Sequence, residues 1–309
     1  MNSLSKPSAT KPCMPLPAAS PKKTVRSANG SEIPVFFCAD EAFAPHLAAA
    51  VASIVSNLEH GDRVRFHVLS NGFPRTVERD LSAVAETASS SIRFLHPRKD
   101  LEQFAEAVSA DSPCHRLPKL AYYRLMMGSL FPDLHRILYL DCDMIVLESL
   151  APLWNTPLGG MTLGAVEDQG RGKALENEKA ILGVGRYLNS GLLLVDLDTW
   201  RARDTEGRLR RFGETRRDIP RLWHDQTMLN AVLKNETLFL EPRWNRMVQY
   251  AEARNPAIVH FAGSAHPWTY NSAPVPFSER YWQYRRMTPW GSEASLRPVG
   301  ACFRREKVR

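Results

Sequence analysis

Two aspartates one residue apart interrupt a run that is otherwise apolar: residues 137–150 read ILYLDCDMIVLESL. Side chains at i and i+2 of a strand share a face. An unbroken strand would therefore set Asp141 and Asp143 side by side, each raising the other's pKa unless a cation lies between them. That cation is either a basic side chain, for which Arg136 is the near neighbour in sequence, or a metal ion. A second Asp-x-Asp, Asp196 and Asp198 in VDLDTWR, has a simpler role. Asp198 precedes a helical run and caps it, with Asp196 closing the strand before it. Asp141 and Asp143 are followed by MIVLESL, an extended stretch with no helix to cap, which favours the metal. Mg²⁺ or Mn²⁺ completes its shell with water, phosphate oxygens or an imidazole. Of nine histidines, His260 is the choice, because HFAG ends an apolar strand and places Gly263 where a backbone N–H can approach a phosphate.

The elements that must position these groups alternate. IPVFFCAD (33–40), RVRFHVLS (63–70) and SIRFLHP (91–97) read as strands, separated by a helix over 45–58 and another after Pro74. A helix over 118–130 leads into ILYLDCDMIVL, and MTLGAVED (161–168) and SGLLLVDL (190–197) are further apolar strands. DTWRARDTEGRLRRF and DQTMLNAVLKN are helical, TLFLEPRWN is extended, and AIVHFAGSAHPW is a strand running into a loop. The pattern predicts an α/β class, a Rossmann-like, mostly parallel sheet flanked by helices, with an irregular C-terminal region. Ligands of such sheets collect outside the C-terminal strand ends. Asp40, the Asp141 pair and Asp168 all fall at strand ends, which points to one shared crevice.

Composition bounds the rest. The chain has 309 residues, 44% hydrophobic and 24% charged, enough for a substantial core. Five cysteines with no CxxC pair indicate neither a disulfide framework nor a cysteine zinc site. No apolar run approaches the ~20 residues of a membrane span, and the first thirty residues lack a signal peptide's apolar block, so the expected location is cytoplasmic. Of the net charge of +7, residues 1–31 carry +5 and residues 297–309 carry +4, leaving −2 for the body. Residues 1–31 read as a disordered, basic, Pro/Ser-rich leader, 32–290 as the folded domain and 291–309 as a basic tail. Basic ends on a near-neutral body suit an anionic membrane surface, giving peripheral association with the inner face of the cytoplasmic membrane. No nucleic-acid partner is expected.

Five segments, LAYYRLMMGSLFP, ILYLDCDMIVLESLAPLWN, YLNSGLLLVDLDTWR, HDQTMLN and HFAGSAHPW, occur in an order that resembles glycosyltransferase family 8, from about Val35 to Trp268. That family includes glycogenin and bacterial lipopolysaccharide galactosyl- and glucosyltransferases. The resemblance implies a GT-A fold, a UDP-sugar donor, a Mn²⁺ (or Mg²⁺) ion, and retaining transfer of a hexose to a saccharide or glycolipid acceptor such as an envelope glycan. Carried over by position, Cys38, Ala39 and Asp40 would meet the nucleoside and Phe43 would lie against the uracil. Asp141, Asp143 and His260 would bind the metal, with Asp141 and Cys142 beside the ribose. Arg124 would reach the donor sugar or its phosphate, Gly263 and His266 would sit at the diphosphate, and Asp168, Asn189, Asp225 and Gln226 would surround the sugar as catalytic residues.

Three positions depart from the family pattern. Ala42 stands where many relatives have Asn, Phe43 replaces a Tyr, and His266 replaces the Lys of H-x-G-x-x-K-P-W. An imidazole of pKa ~6.5 carries partial charge at neutral pH, and a neighbouring phosphate raises that value; turnover is then expected to fall as pH rises above it. An amide at Gln226 is a poor nucleophile, which favours same-face attack, while Asp225 keeps a covalent route open. Two other readings remain: a non-catalytic nucleotide-sugar-binding protein, and a haloacid-dehalogenase-like phosphatase, which is disfavoured because the chain has no Asp-Asp pair and its Asp-x-Asp follows several α/β units instead of the first strand.

Overall fold

The computed structural model describes residues 32–86, 90–109, 119–216, 224–250, 255–269 and 274–291. The leader, the tail beyond Gly291, Pro118, Cys13, Cys114 and Cys302 lie outside the described residues. Among the described residues ten strands form two sheets. They are β1 (Glu32–Cys38), β2 (Arg63–Leu69), β3 (Ser91–Leu95), β4 (Arg136–Leu140), β5 (Met144–Val146), β6 (Leu163–Glu167), β7 (Leu188–Asp196), β8 (Thr237–Leu240), β9 (Arg246–Met247) and β10 (Ile258–His260). Seven of them make a sheet in the order β3-β2-β1-β4-β7-β6-β8, and β5-β10-β9 make a smaller one.

The central strands are apolar throughout because helices cover both faces of the sheet. Along β1 and β4 alternate residues enter opposite cores. Val35, Phe37, Leu138 and Leu140 pack with Leu47 and Val51 of the helix Ala44–Ser56. Phe36 and Tyr139 face the other way, edge-on to each other at 5.6 Å, among Leu193, Val195 and Trp200. The sequence pattern located these strands to within a few residues. It did not reveal the helices Lys99–Ser109, Lys173–Leu182 and Ser278–Arg286. The segment expected to be one helix to Leu130 is a 3₁₀ turn, Lys119–Met126, followed by a single α-turn, Met127–Leu130.

Two features of the topology bear on function. First, β7 runs antiparallel to both of its neighbours, β4 and β6. Second, ILYLDCDMIVL is two strands. The chain leaves the large sheet at Leu140 and enters the small one at Met144, with Asp141–Asp143 in the turn between. The acids therefore occupy a junction whose ends are anchored, Asp141 N–H donating to Gly191 O at 2.8 Å and Phe261 N–H to Asp143 O at 2.9 Å. The antiparallel pairing of β5 with β10 sets His260 opposite Met144, beside Asp143. Two apolar runs flanking polar residues are as consistent with a change of sheet as with one long strand.

Among the buried groups of the described residues that lack a hydrogen-bond partner is the imidazole of His67. His67 on β2 is 5% exposed, neither ring nitrogen has a hydrogen-bond partner, and its ring meets Phe131 edge-on at 5.0 Å. Burial, then the charges of Arg65 and Arg93, push its pKa down to about 4. The unfolded chain, with an ordinary value near 6.5, takes up the proton first, so stability is full above that value and lost as pH falls toward 4. His67→Phe is expected to flatten this part of the stability–pH curve, removing a penalty of about 3 kcal/mol at acid pH. Urea unfolding of both proteins at pH 7 and pH 4.5 checks it, and parallel curves would refute the assignment.

Candidate active site

At the junction of the two sheets, Asp141, Asp143 and His260 each turn one ligand-capable atom into a space less than 4.8 Å across. His260 Nε2 lies 3.2 Å from Asp143 Oδ1 and 3.9 Å from Asp141 Oδ2. Asp143 Oδ1 is buried and has no hydrogen-bond partner. A buried anionic oxygen facing a ring nitrogen is stable only with a cation between them. Two carboxylates and an imidazole form a donor set suited to a hard or borderline divalent ion, so the residues present fit the metal the sequence implied. Without an ion a proton takes part of that role. Burial pushes the His260 pKa down, but Asp143, then Asp141 and Asp168, more than offset it, and the net shift is upward. Asp143 moves the opposite way: burial raises its pKa, and the neighbouring His260 imidazole brings it below the ordinary value.

The basic partner of the acids is Arg124, not Arg136. Arg124 NH1 lies 3.0 Å from Asp141 Oδ1, and its Nε lies 3.2 Å from Asp225 Oδ2 while donating to Ala121 O. Its guanidinium sits over the Tyr139 ring, whose hydroxyl donates to Asp141 Oδ1 at 2.7 Å. Arg136 instead donates to the carbonyls of Trp154 and Thr156. The second Asp-x-Asp is structural, with its roles exchanged: Asp196 caps the helix Leu197–Ala202 through the Thr199 N–H, while Asp198 pairs with His135 and Arg201. Asp225 opens the helix Asp225–Val232, which His224 precedes at φ 53°. Burial raises the Asp225 pKa, with Arg124 opposing and Asp141 adding to the rise.

Asp168, Asn189 and Gln226 form one cluster. Asn189 Nδ2 and Gln226 Nε2 both donate to Asp168 Oδ2, at 3.0 and 3.1 Å, and the Ser190 N–H donates to Gln226 Oε1 at 2.9 Å. The remaining sequence-derived residues fall into two groups. Cys142, between the acids, is buried with its thiol on Cys38 O, and Ala39 is buried beside it. Asp40 caps the 3₁₀ turn Glu41–Phe43 by accepting from the Phe43 N–H. Phe43 meets His46 at 5.5 Å, His46 stacks on Trp268 at 3.8 Å, and Trp268 stacks on His266 at 4.8 Å. Gly263 has the left-handed φ of +78° in the loop that leads to His266. Burial holds the His266 imidazole below its ordinary pKa, Asp143 pulling the other way and His260 adding to the fall.

Sequence reasoning missed Asn245 and Tyr139. Asn245 is fully buried, faces His260 Nδ1 at 2.9 Å and donates to Asn189 Oδ1 at 2.8 Å. The only sequence signal was an amide at the end of the extended stretch TLFLEPRWN.

Residues 34–272 match the family model for glycosyl transferase family 8. The chain belongs to that family. Among similar proteins, general stress protein A of Bacillus subtilis is 31% identical over 275 residues, covering 82% of this chain and 93% of that protein. The lipopolysaccharide glucosyltransferase WaaO of Escherichia coli is 25% identical, covering 81% and 76%. The crystal structure of the galactosyltransferase LgtC with donor and acceptor sugar analogs superposes with a TM-score of 0.72 at 26% identity, covering 85% of this chain and 98% of that one. The sheet with its flanking helices is thus the glycosyltransferase fold of this family. Among the described residues no helix is long and apolar enough to cross a membrane.

The family 8 site depends on one close approach. A Cβ on Gly191 would lie 2.5 Å from His260 Cε1 and 2.9 Å from the Met144 methyl, so the ring occupies space that only glycine leaves open. Gly191→Ala is expected to push the imidazole away from the two acids and weaken Mn²⁺ binding by at least tenfold. Titration calorimetry of the two proteins measures the change, and equal affinities would show that the ring is not a ligand.

Proposed function

We propose that the chain transfers a hexose, galactose or glucose, from a UDP-sugar to a saccharide acceptor, such as lipopolysaccharide or another envelope glycan, with retention of configuration and with a divalent ion held by Asp141, Asp143 and His260. The observation that carries this reading is the unpartnered Asp143 Oδ1 facing His260 Nε2, next to a buried arginine and a cluster of amides. A bound Mn²⁺ or Mg²⁺ would supply Lewis-acid stabilisation of the charge that develops on the departing diphosphate.

The chain's own groups divide the remaining work. Arg124, held by Asp141 and Asp225, presents a fixed positive charge toward the donor phosphate or sugar. Asp168, Asn189 and Gln226 are already bonded to one another, so they offer the sugar hydroxyls a preorganised polar wall with no reorganisation during reaction. Asp40 and Phe43 frame the nucleoside, and Gly263 and His266 the diphosphate. Gln226 Oε1 is engaged by the Ser190 N–H, and Asp225 is engaged by Arg124. Neither presents an unencumbered nucleophile, which supports same-face attack in which the acceptor hydroxyl passes its proton to a diphosphate oxygen.

Thermal unfolding with a panel of nucleotide sugars, with and without Mn²⁺, tests the donor class. A UDP-hexose at a hundredfold excess over its Kd stabilises by about 3 kcal/mol, several degrees in Tm. Slow hydrolysis of the same sugar nucleotide, lost in Asp143→Asn, then distinguishes transferase from binding protein. Stabilisation without any turnover leaves the binding-protein reading standing, and no stabilisation by any UDP-sugar removes both.

Replacement of Lys by His266 gives a second expectation. The buried ring is neutral at pH 7 and above, so UDP binding strengthens as pH falls through its pKa, whereas a lysine stays charged throughout. His266→Lys should bind UDP with Mn²⁺ about tenfold more tightly at pH 8, ~1.4 kcal/mol for one partly screened ion pair, and the gap should narrow at a pH below the pKa of the ring. Calorimetry at the two pH values decides; a gap that does not change with pH removes His266 from the diphosphate site.

A further inference from the structure

An unbroken chain of side-chain amides runs from His260 to Asp168, and its two ends determine the direction of every hydrogen bond in it. The Gly191 backbone N–H can only donate, and it meets Asn189 Oδ1 at 3.1 Å. That contact fixes the oxygen end of the Asn189 amide and turns its Nδ2 onto the acceptor-only carboxylate of Asp168 at 3.0 Å. Asn189 Oδ1 also receives Asn245 Nδ2 at 2.8 Å, which leaves Asn245 Oδ1 facing His260 Nδ1 at 2.9 Å. Asn245 is 0% exposed, so no water can take the place of either contact. An amide oxygen accepts only, and Nδ1 must therefore carry the hydrogen.

We infer that Asn245 is a positioning residue that holds His260 as the Nδ1–H tautomer, with its Nε2 lone pair directed at the carboxylates of Asp141 and Asp143. The inference deepens the proposed function and rests on it for the ligand role of His260; the tautomer itself does not. In the neutral ring the Nε2 lone pair faces Asp143 Oδ1, an otherwise unpartnered oxygen 3.2 Å away. Asn245 also joins the cation site to the Asp168 cluster through one rigid set of bonds. A partner on the outer nitrogen of a ligand histidine sets both the tautomer and the ring plane.

The test is ¹H–¹⁵N long-range correlation of the metal-free protein at alkaline pH, where the ring is neutral, for the wild type, Asn245→Leu and Asn245→Asp. Calorimetric titration with Mn²⁺ accompanies it. Nδ1–H is expected in the wild type and in Asn245→Asp, which keeps the acceptor. Asn245→Leu should lose that preference and bind Mn²⁺ about 10–100-fold more weakly. A wild-type ring protonated on Nε2 overturns the inference without any variant having to fold, as does a leucine variant with unchanged tautomer and Mn²⁺ affinity. Failure of the proposed transferase function would instead appear as absent UDP-sugar turnover in a protein whose ring is Nδ1–H.

Discussion

Everything in the site follows from a surplus of buried negative charge at one turn. Asp141, Asp143, Asp168 and Asp225 converge where the chain crosses from the large sheet to the small one, and Arg124 is the cation that meets two of them. Four carboxylates against one guanidinium and one imidazole do not balance, and desolvated anions without compensation are among the costliest features a fold can hold. The structure lessens the cost in two ways. It places Arg124 between Asp141 and Asp225, and it gives Asp168 three hydrogen-bond donors, from Gly170, Asn189 and Gln226. What is left over sits at Asp143 and His260, where two carboxylates and an imidazole form a donor set that fits a divalent ion.

Much of this was legible in the sequence, and the failures have physical reasons. Periodicity located the strands, since both faces of the sheet are covered and the runs are long and apolar. Spacing singled out Asp141, Asp143 and His260, which the fold brings together. Their geometry was misread, because nothing in ILYLDCDMIVL separates a long strand from two strands in different sheets. The compensating arginine was misassigned because sequence proximity favoured Arg136, whereas Arg124 reaches the acids from a 3₁₀ turn earlier in the chain. Asn245 carried little warning beyond its being an amide at the end of an extended stretch, because its role exists only through contacts with residues 15 and 56 positions away.

The substitution of His266 for the family's lysine gains meaning from its surroundings. A lysine there would add a full charge to the loop that carries Gly263 and His266. The imidazole instead stacks on Trp268, which stacks in turn on His46, so the loop is held by ring contacts reaching the helix Ala44–Ser56. His46 is also bonded to the Tyr281 hydroxyl at 2.6 Å, which ties the same assembly to the helix Ser278–Arg286. At this position the imidazole supplies packing, and its charge depends on pH where a lysine's would not.

The reversal of β7 is what makes one Asp-x-Asp a site and the other a helix cap. In this antiparallel pairing Leu192 lies opposite Leu140, at the crevice end of β4, and Asp196 lies opposite Arg136, at the far end. The first residues of β7, Asn189 to Gly191, are thereby delivered beside Asp141 and His260, with Gly191 giving the ring its room and Asn189 its link to Asp168. Had β7 run parallel to β4, its last residues would have reached the crevice, and Asp196 would have added a further carboxylate to a place already short of cations. Turning the strand around brings in amides and a glycine instead, and sends the aspartate to an edge where a helix N-terminus accommodates it. The two motifs look alike because composition and spacing are the same; they differ because strand direction decides which end of the sheet each one meets.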